Sequence, residues 1–311
     1  MHTSPDASCL RPLPLNDLPT CTRLIAEVSG KPLGEVSQRL LEEHRCLGQS
    51  VRSAMQLESI PRYEQSEALD RLYAKTDAFL YETLVWNRCP TKQAMRQRII
   101  ATLAGWQMSS ARILVFGDGL GFDCAALALS GHVVTYFEIG TLSLGFARHV
   151  FALNQVPVTV CQSLDELSTE AFDAIVCLDV LEHLPNPPEM VKTLVTYLKP
   201  GGFFFSHAPF AYLHPCVGTH LRRNAQYSGE WRRLYGSSGL VPVDGVFFWN
   251  PVVLEKKGGA TPRRFAVVRY LLWQSGGWLL WLFRFWPWPY TQICRMIAAG
   301  ESTRLLASLK K

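Results

Sequence analysis

Residues 112–121 of this 311-residue chain read RILVFGDGLG, a stretch from which the architecture of the central part of the chain can be inferred. The apolar run Arg112–Phe116 is typical of a buried strand, and it ends at three glycines spaced GxGxG. A helical pattern at residues 123–130 comes next, and then a β-branched and aromatic stretch, 132–137, ends at Glu138. Glycines allow a sharp turn and a close approach to a ligand, and a carboxylate after the second strand can accept hydrogen bonds from ribose hydroxyls. The pattern therefore predicts a site for a nucleoside-containing cofactor.

The sequence after this acid continues to alternate between strand and helix. Apolar segments at 156–160, 171–179 and 203–206 are typical of further strands, and a helical pattern occupies 187–198. These strands are too apolar for a half-exposed sheet, so we predict a parallel sheet with helices on both faces. The fold class is α/β. The glycine spacing departs from the GxGxxG of a dinucleotide site.

Composition and charge divide the chain into three segments. Hydrophobic residues make up 48% and charged residues 18%, which excludes a disordered or collagen-like chain. The net charge of +5 is uneven, because residues 258–311 carry eight basic side chains and one acidic, whereas 106–257 carry ten basic and thirteen acidic. A central segment without a basic stripe argues against nucleic acid as a partner. We expect a helical cap at 1–105, a central domain at 106–257 and an apolar, basic extension at 258–311.

Cysteine usage and the termini bear on location. The nine cysteines are scattered and lack CxxC spacing, which favours free thiols over a disulfide or zinc framework. The first residues lack a basic segment followed by an apolar one, so we expect no secretory signal. Since no run of about 18 apolar residues is free of charge, we also expect no spanning helix. These features predict a cytoplasmic protein.

Four motifs, taken in order and spacing, resemble those of class I S-adenosylmethionine-dependent methyltransferases. They are VFGDGLG at 115–121, YFE at 136–138, FDAIVCLDVLEHL at 172–184 and LKPGG at 198–202. The most similar group includes enzymes of the ubiquinone and menaquinone pathways. The resemblance covers about residues 106–257 and implies a Rossmann-like, seven-stranded, mostly parallel sheet, with 239–243 and 247–256 as its last strands. It implies S-adenosyl-L-methionine as the cofactor.

The resemblance assigns a cofactor-binding role to eight residues. They are Gly117, Asp118, Gly119 and Gly121 in the turn, Glu138 at the ribose, Gln162 and Ser163 beside the adenine, and Asp179 after the fourth strand. Many relatives have an acid where this chain has Gln162 and Ser163. Asp179 lies where the family contacts the methionine amino group or the acceptor.

The cofactor dictates the chemistry that the protein must provide. A sulfonium carries a methyl group that a nucleophile displaces in line, so the protein must chiefly position the acceptor and exclude water. An oxygen acceptor also loses a proton, which requires a general base. His183, after the fourth strand, is the first candidate, and His207, after the fifth, is the second. The alternative for His183 is a structural hydrogen bond that holds its loop.

A metal site is a further alternative. Asp179, Glu182 and His183 are spaced i, i+3 and i+4, which would place them on one face of a helical turn. Two carboxylates and an imidazole could bind a magnesium- or manganese-type ion, and some relatives have Glu-x-x-Glu-His here for a metal. Asp in the first position has a shorter reach, and another ligand would have to come from His207 or His214. We favour residues of a metal-free loop.

The flanking segments predict a helical cap and an aromatic extension. Helical patterns at 18–30, 34–48, 63–85 and 90–104 predict the cap, which either packs on the central domain or covers a substrate site as a lid. Five of the nine tryptophans lie in 258–311. Trp, Tyr and Arg around an apolar stretch suit a membrane interface, so residues 265–290 either contact a membrane surface or pack in the core or an acceptor pocket.

The sequence therefore predicts methyl transfer to an oxygen or nitrogen, and less readily a carbon, of a small or medium-sized apolar metabolite such as a quinone, a lipid or a secondary metabolite. One alternative is a peptide acceptor in natural-product tailoring. The other is a non-catalytic, cofactor-binding scaffold whose tail binds a membrane or a partner. The intact glycine turn and Glu138 favour an enzyme. Nothing in the sequence sets the oligomeric state.

Overall fold

The computed structural model describes residues 11–249, 251–260 and 263–309, and a seven-stranded sheet lies at its centre. In chain order the strands are β1 (Arg112–Phe116), β2 (Val133–Phe137), β3 (Val158–Cys161), β4 (Phe172–Leu178), β5 (Leu198–His207), β6 (Leu240–Asp244) and β7 (Val252–Lys256). Strand β5 is longer than predicted. The last strand, predicted over 247–256, begins only at Val252, because Phe248 has a left-handed backbone (φ 63°) that cannot continue an extended strand.

The strand order is β3-β2-β1-β4-β5-β7-β6. Strand β1 pairs in parallel with β2 and β4. Strand β7 runs in the opposite direction to the other described strands, so its pairings with β5 and β6 are antiparallel. The predicted seven-stranded, mostly parallel sheet is thus confirmed. The order reverses between β1 and β4, so the carboxyl ends of these two strands open the crevice in which such sheets bind ligands.

In the part of the chain that the structure describes, six helices precede the sheet. They are α1 (Leu18–Ser29), α2 (Leu33–Arg45), α3 (Gln49–Leu57), α4 (Glu67–Lys75), α5 (Ala78–Arg88) and α6 (Pro90–Gly105). The prediction of one helix over 63–85 was wrong: Ser66 caps a helix that begins only at Glu67, and an extended backbone at Thr76 ends it. Helix α3 was not predicted, because only three of its side chains are buried and its apolar stripe is short.

Six more α-helices follow β1 within the described ranges. They are α7 (Phe122–Leu129), α8 (Thr141–Asn154), α9 (Pro187–Tyr197), α10 (Trp231–Leu234), α11 (Val267–Phe283) and α12 (Trp288–Ser308). Alternate residues of β1 belong to two different apolar cores, Ile113 and Val115 to one, Leu114 and Phe116 to the other. Since neighbouring residues of a strand point to opposite faces, the two cores cover the two faces of the sheet.

Helices α1, α2, α5 and α6 pack on one face of the sheet, and α11 packs on the other. The core that contains Ile113 also contains buried side chains of α1, α2, α5 and α6. The core that contains Leu114 includes Trp273 and Leu280 of α11 and Tyr290 of α12. Both extensions therefore contribute to the cores of the sheet. Among the described residues, no helix combines the length and the apolar character that crossing a membrane requires.

Candidate active site

The glycine turn between β1 and α7 has a backbone that other residues rarely adopt. Gly117, Gly119 and Gly121 have φ angles of 75°, 64° and 79°. A Cβ on Gly117 would lie 2.6 Å from the side chain of Val180, and one on Gly121 would lie 2.8 Å from the ring of Phe151. Glycine is therefore required both by conformation and by space. Gly117 and Gly119 line the main cavity of the protein.

Glu138 closes one side of this turn. Its Oε2 accepts a hydrogen bond from the backbone N–H of Gly119 (3.0 Å), and its Oε1 accepts two, from Ile139 and Gly140 (2.9 and 2.8 Å). Burial raises the pKa of Glu138, and these hydrogen bonds oppose that effect. Because Oε2 has a single partner, it retains a lone pair for a ligand hydroxyl. The predicted ribose acid thus lies against the predicted turn, on the same cavity.

The remaining predicted turn and adenine residues have other partners. The carboxylate of Asp118 accepts hydrogen bonds from the backbone of Asp123 (3.1 Å) and Cys124 (2.8 Å), so it holds the first turn of α7. Burial, reinforced by the charge of Asp123, raises the pKa of Asp118 to about 7. Ser163 caps a short turn, and Gln162 is exposed. The cavity wall includes Asp118 but neither Gln162 nor Ser163.

Asp179 is the centre of the polar contacts at the sheet edge. It follows β4 with a left-handed backbone (φ 60°), a strained conformation for a residue with a side chain. Its Oδ2 accepts hydrogen bonds from the indole of Trp86 (2.8 Å) and the ammonium of Lys92 (3.2 Å). Its Oδ1 lies 2.6 Å from Nδ1 of His207. Burial acts to raise the pKa of Asp179, but Lys92 and the hydrogen bonds outweigh it and lower the pKa.

His207 and Asp179 form a carboxylate–imidazole pair on the cavity wall. His207 ends β5 and Asp179 follows β4, and the parallel pairing of these strands brings the two side chains together. A carboxylate that accepts from Nδ1–H fixes the tautomer in which Nε2 is free to accept a proton. Of the two histidines that the sequence proposed as bases, His207 therefore has the arrangement that a general base needs.

A buried ionic network behind Asp179 was missed from the sequence. Lys92 of α6 lies 3.1 Å from Asp123 and 3.2 Å from Asp179, and Arg96, one turn later, lies 2.8 Å from Asp123. All of these side chains except that of Asp179 are at most 6% exposed. The network fastens α6 to both α7 and the end of β4. Lys92 and Arg96 share a helix face, but nothing local to the sequence identifies their partners.

His183, the first predicted base, is bound to a loop. Its Nδ1 lies 3.2 Å from the carbonyl oxygen of Thr219 and 3.0 Å from the hydroxyl of Tyr73. Since a carbonyl oxygen only accepts, Nδ1 carries the proton and Nε2 is the free nitrogen. Burial lowers the pKa of His183 to about 4. A neutral imidazole with so low a pKa is a weak base, so these contacts support the structural alternative.

The structure corrects the group of residues that could hold a metal. Asp179 is not part of it, because the left-handed backbone there precedes a short 3₁₀ turn, Leu181–His183, and the spacing rule of an α-helix does not apply. His207 is paired with Asp179, and Nδ1 of His214 accepts from the backbone of Cys216. Neither of these histidines joins the group.

Glu182, His183 and His220 come together instead, with ligand atoms within 4.8 Å of one another. Nε2 of His183 and Nε2 of His220 lie 3.9 and 4.0 Å from Oε1 of Glu182. Nδ1 of His220 donates to the carbonyl of Tyr212 (2.7 Å), so both imidazoles present unprotonated Nε2 atoms. The Glu182 carboxylate is 1% exposed, and neither oxygen has a hydrogen-bond partner among the described residues. Three converging acceptors without a donor suit a divalent cation.

The cavity that unites these groups has a volume of about 1120 Å³. Aromatic and apolar side chains from the cap, from the loop after β5 and from α12 form much of its wall, among them Tyr73, Phe79, Trp86, Tyr212, Tyr290 and Ile293. The cavity exceeds the roughly 300–1,000 Å³ of ordinary ligand pockets, so it has room for two ligands. Glu82 of α5 also lines it, and burial, with the charge of Glu43, raises the pKa of Glu82 to about 8.

Known proteins resemble the central part of the chain. A ubiquinone biosynthesis O-methyltransferase of Chromobacterium violaceum is 33% identical over an alignment of 172 residues, and the match covers 46% of this chain and 74% of that protein. The protein of the same name from Azotobacter vinelandii is 35% identical over an alignment of 176 residues, and the match covers 49% of this chain and 75% of that protein. A solved S-adenosylmethionine-dependent methyltransferase from Aquifex aeolicus is 14% identical, with a TM-score of 0.43 over 54% of this chain and 93% of its own, a likeness too low to carry an argument.

The model of a family described as a methyltransferase domain matches residues 91–248, about half of the chain. The match begins in α6, so it includes Lys92, the glycine turn, Glu138 and the Asp179–His207 pair. It leaves α11 and α12 outside. The chain belongs to the methyltransferase-domain family, and it is an S-adenosylmethionine-dependent methyltransferase.

Proposed function

We propose that this enzyme methylates a hydroxyl oxygen of a small or medium-sized, largely apolar acceptor, with His207 as the general base. The observation that carries the proposal is the 2.6 Å contact between His207 and Asp179 on the wall that also contains the glycine turn. An oxygen acceptor needs to lose a proton, and this pair offers a free imidazole nitrogen to take it.

The relatives favour a phenolic acceptor of the quinone type. Both are named ubiquinone biosynthesis O-methyltransferases, and the matched residues cover about three quarters of each. The aromatic and apolar wall suits a ring that carries an apolar chain. No contact favours a peptide over such a molecule. The non-catalytic alternative is set aside, because the family is enzymatic and the cavity contains a positioned base.

The residues divide the work of the reaction. When bound, S-adenosylmethionine supplies an activated methyl group. The glycine turn and Glu138 are positioned to hold the nucleoside, and the aromatic wall is suited to orient the acceptor and exclude water. With an acceptor hydroxyl in the cavity, Nε2 of His207 would take the hydroxyl proton, so that the oxygen could act as the nucleophile toward the methyl group that the cofactor would supply. The carboxylate of Asp179, held by Trp86 and Lys92, stabilises the imidazolium that forms.

A divalent cation is the second feature that we propose for this site. Glu182, His183 and His220 would hold it, and the specific observation is the buried carboxyl group of Glu182, whose oxygens have no hydrogen-bond partner among the described residues. Such an ion would supply Lewis acidity toward an acceptor oxygen. This role adds to that of His207.

The test is a comparison of catalysis by wild type and by His207→Gln with an alkyl catechol as acceptor. Release of S-adenosylhomocysteine and mass analysis of the product report the reaction. We expect kcat to fall by about 10²–10⁴-fold, as for other general bases, with little change in cofactor affinity. His214→Gln, another cavity histidine but without an acidic partner in the described residues, is the control. Retention of full kcat by His207→Gln would overturn the proposed base, and methylation on carbon would overturn the oxygen acceptor.

A further inference from the structure

The C-terminal helices expose an unusual amount of apolar surface. Of the twenty-one large apolar side chains that are exposed in the described residues, twelve lie between Val267 and Ile297. Trp278, Phe285 and Met296 are 69%, 68% and 73% exposed. Exposed apolar residues scattered singly need no explanation, but so many in one segment of the chain indicate an interaction site. We refer to these twelve side chains as the apolar face.

We propose that the apolar face docks this enzyme on the surface of a lipid bilayer that contains anionic lipids. Along α11 its members Val267, Leu271, Trp278 and Leu282 recur at helical spacing, so they form one stripe. Trp273 and Leu280, on another side of the same helix, are buried in the core. Helix α11 is therefore apolar on the buried side and on the exposed side. Its 17 residues span about 25 Å, so it would lie in the plane of the interface.

The charges of the C-terminal segment match an anionic surface. Arg264, Arg295 and Arg304 are exposed, and none of them has an acidic partner among the described residues. Glu301, the only acid of residues 258–311, is buried. Tryptophan with arginine at the edge of an apolar surface is the composition typical of a membrane interface. Unpaired arginines add electrostatic attraction to anionic lipids.

A second copy of the chain fits this surface less well. A twofold dimer brings the same patch of each copy together, so the unpaired arginines of one copy would meet a segment whose single acid, Glu301, is buried. An anionic bilayer satisfies both the apolar residues and the cations. The charges therefore favour a bilayer over a second copy of the chain as the partner of the apolar face.

The docked orientation would place the cavity mouth at the lipid. Ile293 and Ile297 of α12 are 40% and 51% exposed, and both also line the cavity. The rim of the cavity thus belongs to the apolar face. An apolar acceptor dissolved in the bilayer could then enter without crossing water. This consequence for the acceptor rests on the proposed function, whereas docking itself does not.

Flotation of the full-length protein with vesicles tests the proposal. The vesicles consist of phosphatidylcholine alone or of phosphatidylcholine with phosphatidylglycerol, and binding is followed against salt. We expect binding to the anionic vesicles, weakened by salt, and a loss of at least about tenfold in Trp278→Glu/Phe285→Glu. The matched control is Leu57→Glu/Val133→Glu, which changes two exposed apolar residues outside the apolar face and should bind as wild type does. Arg264→Gln/Arg304→Gln should lose the preference for anionic lipid.

The outcomes are distinguishable from a failure of folding or of the proposed chemistry. Circular dichroism and calorimetric binding of S-adenosylmethionine show that each variant is folded. Equal flotation of wild type and Trp278→Glu/Phe285→Glu would overturn the proposal. A second result would also overturn it: wild type fails to float and forms a dimer, and this double variant dissociates the dimer. The apolar face would then be an interface between copies. Vesicle binding without activity toward alkyl catechol would leave docking standing and count against the proposed acceptor.

Discussion

Replacing Lys92 by methionine tests how the N-terminal helices are held to the sheet. The ammonium group lies 3.1 Å from Asp123 and 3.2 Å from Asp179, and 6% of the side chain is exposed. Methionine retains the length of the chain and removes the charge. Breaking a buried ion pair by removing one partner typically costs about 3–5 kcal/mol. Since Asp123 retains Arg96 and Asp179 retains Trp86, we expect the lower end of the range, about 3 kcal/mol of unfolding free energy.

The effect of this substitution should depend on pH, with a sign that the pKa shifts determine. Burial acts to lower the pKa of Lys92, but Asp123 and Asp179 outweigh it and raise the pKa. The stability from Lys92 is therefore complete below the unfolded lysine pKa of about 10.4 and is lost as pH rises through the folded value. The pKa of Asp179 is lowered, so its contribution is present above about 3.9 and is lost as pH falls through the folded value. The destabilisation should be largest between about pH 5 and 9.

Urea unfolding followed by circular dichroism measures this free energy across the pH range. Lys192→Met is the control, because Lys192 is an exposed lysine of α9 and should change the free energy of unfolding by less than about 0.5 kcal/mol. A Lys92→Met protein within about 1 kcal/mol of wild type at neutral pH would refute the reasoning. A large loss that stays the same at acidic, neutral and alkaline pH would refute the electrostatic cause.

Three further substitutions test the cofactor turn and the metal group. Glu138→Ala should weaken calorimetric binding of S-adenosylmethionine by about 1–3 kcal/mol, since charge-assisted hydrogen bonds to the ribose are lost. The control, Glu189→Ala at an exposed position, should leave the affinity unchanged, and equal affinities of wild type and Glu138→Ala would contradict the ribose role. Gly121→Ala should cost about 1–3 kcal/mol of unfolding free energy, because φ is 79° and the new Cβ would lie 2.8 Å from Phe151. The control is Gly34→Ala, whose new Cβ meets open space and should cost nothing. Wild type should bind one manganese ion by calorimetry, and Glu182→Gln should bind it at least about tenfold more weakly; no binding by wild type would speak for the metal-free loop.

The part of the site that could be predicted is the part with a local pattern. The glycine turn, Glu138 and the strands on either side lie close together in sequence, and each is inferred from spacing and from conformational limits of single residues. The pairing of His207 with Asp179 was also within reach, since the carboxyl ends of adjacent parallel strands meet at one edge of a sheet. The helix break at Thr76 could not be predicted from the sequence. The helical spacing of apolar residues continues across the break, because the two helices pack on a shared core.

The contacts that were missed join residues far apart in the chain. Lys92 and Asp179 are 87 residues apart, and His220 reaches Glu182 only because the loop that precedes it folds back on the turn after β4. No periodic pattern in the sequence indicates a contact between residues so far apart in the chain. A buried lysine is recognisable only through burial, which requires the whole fold, and a carboxylate without a partner is visible only when every neighbouring donor has been placed.

The N-terminus of α6 contacts both the C-terminal helix α12 and the proposed active site. Pro90 has no N–H, and the next residue, Thr91, donates its backbone N–H (2.8 Å) and its hydroxyl to the carboxylate of Glu301 in α12. A carboxylate at this position also offsets the positive end of the helix dipole. Lys92 then reaches Asp179, the partner of the proposed base. The first turn of α6 therefore binds both Glu301 of α12, in the wall of the cavity, and Asp179, the partner of the proposed base.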